Sequence, residues 1–274
     1  MNRLRYYVIA AFIFFVFISF FVFRAGDNEM PVHIPNNTKA QKIKKDGGRR
    51  IAVIVSNLGH IEENIEYLKG NFSKKVTLGF SPYTKSLTGV TSSLKSEGWN
   101  SLILMPMQPA NYPLDNLGPY CLLDNIPDVE NHSRMEWIMD KISFSEGVYL
   151  NTDQIFTLSS DDTMWFLKGM EIKLDELGRK IMMMYYDTND IHFIEKYYEK
   201  LSLSAINLLK IDVAIERNAT DQEINQAFGY AELISSSRGL AVVICDSKLN
   251  ILQQLKKWMG QLDGKGIELI SVLE

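Results

Sequence analysis

Residues 51–59 read Ile-Ala-Val-Ile-Val-Ser-Asn-Leu-Gly. Five apolar residues in a row, four of them β-branched, stand between Arg50 and Ser56. Such a run marks a strand covered on both faces rather than one that alternates. The Asn-Leu-Gly that follows turns the chain. Residues 62–68 then carry helical spacing and stop at Gly70. A β-branched apolar strand followed by a turn and a helix is the unit of an α/β fold.

The unit repeats downstream. Strands are predicted at 75–80, 101–105, 147–150, 181–186, 205–213, 240–245 and 267–272. Helices are predicted at 85–97, 134–142, 161–177, 190–201, 220–236 and 249–259. Ser133, Ser160 and Ser247 suit the starts of three of them, and Thr220-x-x-Glu223 is a capping box. The stretch from Met107 to Ser133, with four prolines, is irregular, and a loop of that length is usually functional or disordered. Eight strands alternating with seven helices imply right-handed crossovers and a mainly parallel sheet. A doubly wound sheet and a closed β/α barrel both fit this pattern. In either, a ligand site lies beyond the carboxyl ends of the strands.

Those ends carry polar groups. Ser56, Asn57 and His60 follow the first strand, and Gln108 lies in the turn after the third. Asn151, Thr152 and Asp153 follow the fourth, and Asp187 follows the fifth. Asp212 lies near the end of the sixth, and Asp246 with Ser247 after the seventh. Asp and Asn are also good helix caps and turn formers, so they gather in βα loops without any chemistry.

The chain has 274 residues with a net charge of −4, but the charge is uneven. Residues 1–48 carry a net +4 and the remainder a net −8. An acidic body repels phosphate backbones, so no nucleic-acid partner is expected. Arg3 and Arg5 precede an uncharged run of 18 residues, Tyr6 to Phe23. As a helix it would span about 27 Å, close to the thickness of a bilayer core. It is longer than the apolar region of a signal peptide, and Phe23 would occupy a position where cleavage needs a small side chain. The expected organisation is a cytoplasmic N-terminus (1–5), a transmembrane anchor (6–23), a linker (24–49) and one exported domain (50–274). The domain would then be extracytoplasmic, in the periplasm. Export would also permit Cys121 and Cys245 to be bridged, although Cys245 closes an apolar strand as a packed thiol would.

Several segments together resemble the divergent polysaccharide deacetylase family. They are the run at 51–59, Val-Thr-Leu-Gly-Phe-Ser-Pro-Tyr (76–83), Met-Pro-Met-Gln-Pro (105–109), Gly118-Pro119 with Leu122-Leu123, Gly-Val-Tyr-Leu-Asn (147–151) and Tyr186-Asp187. The resemblance runs from about residue 50 to the end. It implies a distorted β/α barrel of seven to eight mainly parallel strands, outside the cytoplasm. It also implies kinship with metal-dependent enzymes that deacetylate amino sugars.

The site motifs depart from the family pattern. Ser56-Asn57 stands where the family has an Asp-Asp pair, and Gln108 where it has a glutamate. Leu150-Asn151-Thr152-Asp153-Gln154 replaces Asn-His-Met-Gly-Ser, and Cys245-Asp246 replaces a motif that often carries His. Deacetylation through a metal needs an ion held by imidazole and carboxylate groups, with one position open. The four histidines, at 33, 60, 132 and 192, form no pair at ligand spacing. No metal and no cofactor are therefore expected.

Asp187 and Asp153 are the candidates for any residual acid–base work, since two carboxylates in unlike environments can divide those roles. Asn57, His60, Gln108, Asn151, Asp212 and Asp246 are the candidate binding residues. No glycine-rich phosphate loop follows a strand, and no G-x-S-x-G elbow occurs. The expected function is that of an envelope-associated, deacetylase-like protein of carbohydrate metabolism without conventional metal-dependent activity. The alternative is a non-catalytic protein that binds envelope glycan or another protein.

Overall fold

The computed structural model describes residues 32–33, 48–59, 62–109, 111–124, 126–150, 160–186 and 203–274. Strand β1 is Val32–His33, β2 Arg49–Leu58, β3 Thr77–Phe80, β4 Ser101–Met105 and β5 Gly147–Leu150. They are followed by β6 Ile181–Tyr186, β7 Ile206–Ile211, β8 Val213–Ile215, β9 Leu240–Asp246 and β10 Ile267–Ile270. The helices are α1 Glu62–Asn71, α2 Leu87–Ser96, α3 Asp128–Met139, α4 Ser160–Glu176, α5 Asp221–Arg238 and α6 Leu249–Met259.

Strands β2 to β7 pair in sequence order, all parallel, and β8 pairs with β9, which pairs with β2. The strand predicted at 205–213 is two strands broken at Asp212. Below the break it pairs with β6, and above it with β9. That change of partner carries the chain across the remaining gap. The result is a nearly closed barrel of eight parallel strands, β2 to β9. The open alternative, a doubly wound sheet, is thereby set aside.

The ten-residue β2 serves three neighbours. Strand β9 takes one edge, while β10 (against Arg49–Ala52) and β3 (against Ile54–Leu58) share the other. Strand β1 pairs antiparallel with β8, so with Arg49 of β2 three residues of the predicted linker belong to the sheet.

Side chains alternate between two apolar layers, which is why the strands read as unbroken apolar runs. Ile51, Val53 and Val55 pack outward under the helices, whereas Ala52 and Ile54 face the bore. Leu102, Leu104, Met184, Val242 and Ile244 fill the bore as well, and Ile270 and Val272 from the end of the chain join them. The barrel is a packed core and not a pore.

Several helix boundaries differ from expectation. Helix α3 starts at Asp128 behind Pro127, not behind Ser133. Its first turns are polar, and tertiary bonds hold them: buried Asn131 accepts from Leu123 N–H and donates to Leu123 C=O. Helix α6 is capped at Lys248, with no side-chain bond from Ser247. The capping box of α5 is present, with Thr220 and Glu223 each bonding the other's backbone N–H. Cys121 and Cys245 are buried thiols, and no disulfide joins them.

Residues 32–274 form one compact unit. No helix among the described residues is long and apolar enough to cross a membrane. The proposed anchor at 6–23 lies outside the described residues, as do the helix predicted at 190–201, His60, Asn151, Asp153 and Asp187.

Candidate functional site

The carboxyl end of β2 is reshaped by a bulge. Val55 pairs with Leu78, but Leu58 pairs with Phe80, so β2 spends one extra residue between the same two partners. Asn57 sits in that extra length with φ 59°. Asn is among the few non-glycine residues that tolerate the left-handed region. The bulge re-aims the side chain, as bulges beside functional sites commonly do. The Asn57 amide crosses to β9 and donates to the Asp246 carboxylate, Nδ2 to Oδ2 at 2.9 Å.

Asp246 is the last residue of β9, in register with Ser56, and it is 2 % exposed. Its second oxygen accepts from the backbone N–H of Lys248 at 2.7 Å. The Arg217 guanidinium stands 3.5 Å from the same oxygen, and its side chain is 65 % exposed. Lys248 Nζ donates to the Arg217 carbonyl at 3.2 Å, which ties the two basic residues together at the rim. Neighbouring bonds fix the frame. Ser56 Oγ donates to Cys245 C=O, Ser247 Oγ to Asn57 C=O, and Asn64 Nδ2 to Ser247 C=O.

Below this rim lies the Tyr149 hydroxyl, buried, with the backbone N–H of Asn57 as its polar neighbour. Burial drives its pKa well above the usual tyrosine range. Asp246 and Glu216 push the same way, and the backbone N–H of Asn57 pulls against them. The phenol therefore keeps its proton and is available only as a neutral group. The Cys245 thiol is likewise pushed up by burial and by Asp246, so it is inert packing and not a nucleophile.

The motifs that carried the resemblance form the frame of this end of the barrel. Gly59 has φ 96°, and a Cβ there would stand 2.0 Å from Thr84 Oγ1. Tyr83, at the end of the Ser-Pro-Tyr segment, lies on Gly118, where a Cβ would come within 2.5 Å of the ring. Its hydroxyl accepts from Tyr120 N–H at 2.9 Å. Tyr120 stacks on Trp137 at 3.8 Å, and Lys141 lies 4.6 Å from the Trp137 ring centre. The turn at Pro106–Gln108 binds Leu122 through two backbone bonds, and Gln108 Oε1 accepts from Asp124 N–H. Gln108 thus holds the long loop by its side chain.

Among the expected site residues, the structure brings Asn57 and Asp246 together. It separates Asp212 from them. Asp212 is level with Val242, four residues before Asp246 on β9, and its carboxylate takes the Arg238 guanidinium and the Val242 N–H. Its place is the seam between β7 and β8, where both of its oxygens are taken up by partners within the fold. Arg217, Lys248 and Tyr149 join the site without being among the residues expected from the sequence. Arg217 carries no signal, being one charge in a polar loop. Tyr149 reads as one more apolar strand residue, although its period-two position already put its polar tip on the bore face.

The fit of a divalent ion can be judged from these groups. Asn57 turns N–H toward Asp246 where a ligand would turn oxygen, and a guanidinium lies on the carboxylate's other side. Among the described residues, an amide donor and a partly exposed guanidinium beside one carboxylate do not supply the imidazole and carboxylate set that zinc prefers. Among the described residues no three His, Cys, Asp or Glu side chains gather in a metal-binding group. A groove of about 520 Å³ lies between α5 and α6 on the outer helical layer. Its acids are already engaged: Glu232 with Trp258 and Lys265, and Asp221 with Asn250 and Gln254.

Known proteins place this arrangement in context. The chain is similar to the crystal structure of an uncharacterized protein from Agrobacterium tumefaciens C58, at 22 % identity and a TM-score of 0.72. The match covers 84 % of this chain and 89 % of that one. The likeness supports the fold. A more distant likeness is to the lactam utilization protein of Thermus thermophilus, at 9 % identity and a TM-score of 0.46, covering 82 % and 99 %. No curated protein matches. The sequence profile for divergent polysaccharide deacetylases matches residues 53–274, nearly the whole barrel, and the chain belongs to that family.

Proposed function

We propose that this protein is an envelope-associated, deacetylase-like protein that holds acetylated glycan at the carboxyl end of its barrel without metal-dependent deacetylation. The observation that carries the reading is the Asn57–Asp246 pair. Where the family places an acidic residue, Asn57 donates to the carboxylate of its neighbour, so one carboxylate oxygen faces an N–H where an ion would otherwise sit. The exposed guanidinium of Arg217 and the free face of the Asn57 amide suit the hydroxyl and acetamide oxygens of a sugar.

The test is titration of the full-length protein with N-acetylglucosamine oligomers, beside an assay for released acetate with zinc, manganese or cobalt added. Saturable binding without acetate release is expected, and Asp246→Ala should weaken binding about tenfold or more, the scale of a lost hydrogen-bonded charge. Metal-stimulated acetate release by the wild type would overturn the reading.

The location is part of the proposal. The 18-residue run from Tyr6 to Phe23 would tether the barrel on the outer side of the membrane. Protease added to intact spheroplasts is expected to digest the barrel, and washing should leave the protein in the membrane fraction. A mature chain beginning near residue 26 and released by washing would contradict the tether.

A further inference from the structure

The departure from a metal site has a positive content. Asp246 is a buried carboxylate at the end of a strand, and both of its oxygens face donors: the Asn57 amide, the Lys248 backbone N–H and the Arg217 guanidinium. Of these only Arg217 brings a full charge to the carboxylate, since the Lys248 ammonium is turned away to the Arg217 carbonyl. A guanidinium is charged at every working pH and is more weakly hydrated than an ammonium, which suits it to a half-dry rim. Arg217 has five N–H groups, and the one nearest Asp246 is 3.5 Å away on a side chain that is 65 % exposed. Most of its donors therefore face solvent at the rim beside Asp246.

We propose that Arg217 is the resident cation of this site, doing for the buried Asp246 carboxylate what a divalent ion would do. An ion approaching Asp246 would meet that guanidinium and the amide N–H of Asn57. The ligand entering the mouth meets organic N–H donors in place of a Lewis acid, so it is recognised through acceptor oxygens and is not polarised for hydrolysis. The inference deepens the glycan-holding reading above and rests on it for the nature of the ligand, but not for the cation.

Melting of the full-length protein with manganese chloride tests it, in the wild type, in Asn57→Asp, and in Asn57→Asp combined with Arg217→Met. Asn57→Asp supplies a second carboxylate, and Arg217→Met removes the competing charge. Manganese at ten times its Kd is expected to raise the melting temperature of the double variant by about 3–6 °C, by mass action on the folded state. The wild type and the single variant should move by less than about 1 °C, the resolution of such a shift. An unresponsive double variant that melts cooperatively would overturn the proposal, and so would a wild type that responds as strongly. If the Met variant does not fold, Arg217→Gln in the Asn57→Asp background carries the same two outcomes. Failure of the wild type to bind N-acetylglucosamine oligomers would sink the glycan reading and leave the manganese result to be read on its own.

Discussion

Gly147→Ala is expected to lower stability by about 3 kcal/mol or more, at the upper end of overpacking effects because the clash is with backbone. Gly147 opens β5 opposite Met182 of β6. A Cβ on it would stand 1.8 Å from the Met182 carbonyl oxygen and 2.8 Å from its nitrogen. No rotamer change relieves contact with a main chain, so the two strands must separate. The Met182 N–H to Glu146 C=O bond, 2.9 Å long, lies in the path of that separation. Tyr149, two residues along β5, points into the same bore, so the shift also reaches the floor of the candidate site. Urea unfolding of the wild type and the variant measures the cost, and a lowering of the melting temperature by about 6 °C or more should accompany it. A variant within about 1 kcal/mol of the wild type would mean that the β5–β6 contact yields more easily than packed backbone ordinarily does.

The barrel was legible because its strands are covered on both faces, so runs such as Ile51–Val55 stand out from the helices between them. Closure was legible only through the family resemblance and not in the periodicity. It depends on one strand changing partner at Asp212, and an aspartate inside an apolar run looks like a strand end facing the site. Only the position of Arg238, 26 residues later, shows that the charge is neutralised within the fold. The start of α3 was hidden for a related reason. Asp128 to Ser133 has no apolar period, and the segment is helical because Asn131 satisfies both backbone groups of Leu123.

The site divides the same way. Asn57 and Asp246 could each be placed at a strand end, since a strand end is a local property. Their pairing across 189 residues comes from the β2–β9 register and from the bulge that turns Asn57 sideways. No spacing in the chain encodes either. The exchange of residue types at these positions has meaning only through that contact. An amide at 57 and a carboxylate at 246 make a satisfied pair, whereas losing the amide alone would leave one oxygen of a buried carboxylate without its side-chain donor.

Asp212→Ala is expected to cost about 3–5 kcal/mol, the range for breaking a buried ion pair by removing one partner. The variant leaves the Arg238 guanidinium in place at the seam, with its Nε already buried and without a hydrogen-bond partner among the described residues. It also strips the Val242 N–H of its 2.9 Å acceptor. Asp212→Asn keeps an acceptor for that N–H, so the difference between the two variants isolates the charge. The pH dependence has a definite sign. Burial raises the Asp212 pKa above its ordinary value, and the Arg238 charge, the Val242 N–H and Lys210 only partly offset that. The folded state therefore keeps its proton to higher pH than the unfolded chain, whose aspartates titrate near about 3.9. Stability from this group is full below that value and falls as pH rises through the raised pKa, because the folded state then binds more protons than the unfolded. The margin of the wild type over Asp212→Asn should accordingly be widest near pH 4 and narrow toward neutrality, read from urea midpoints at several pH values. A margin that widens as pH rises would mean that Arg238 outweighs desolvation, and that the seam is held by the ion pair itself and not by the hydrogen bonds around it.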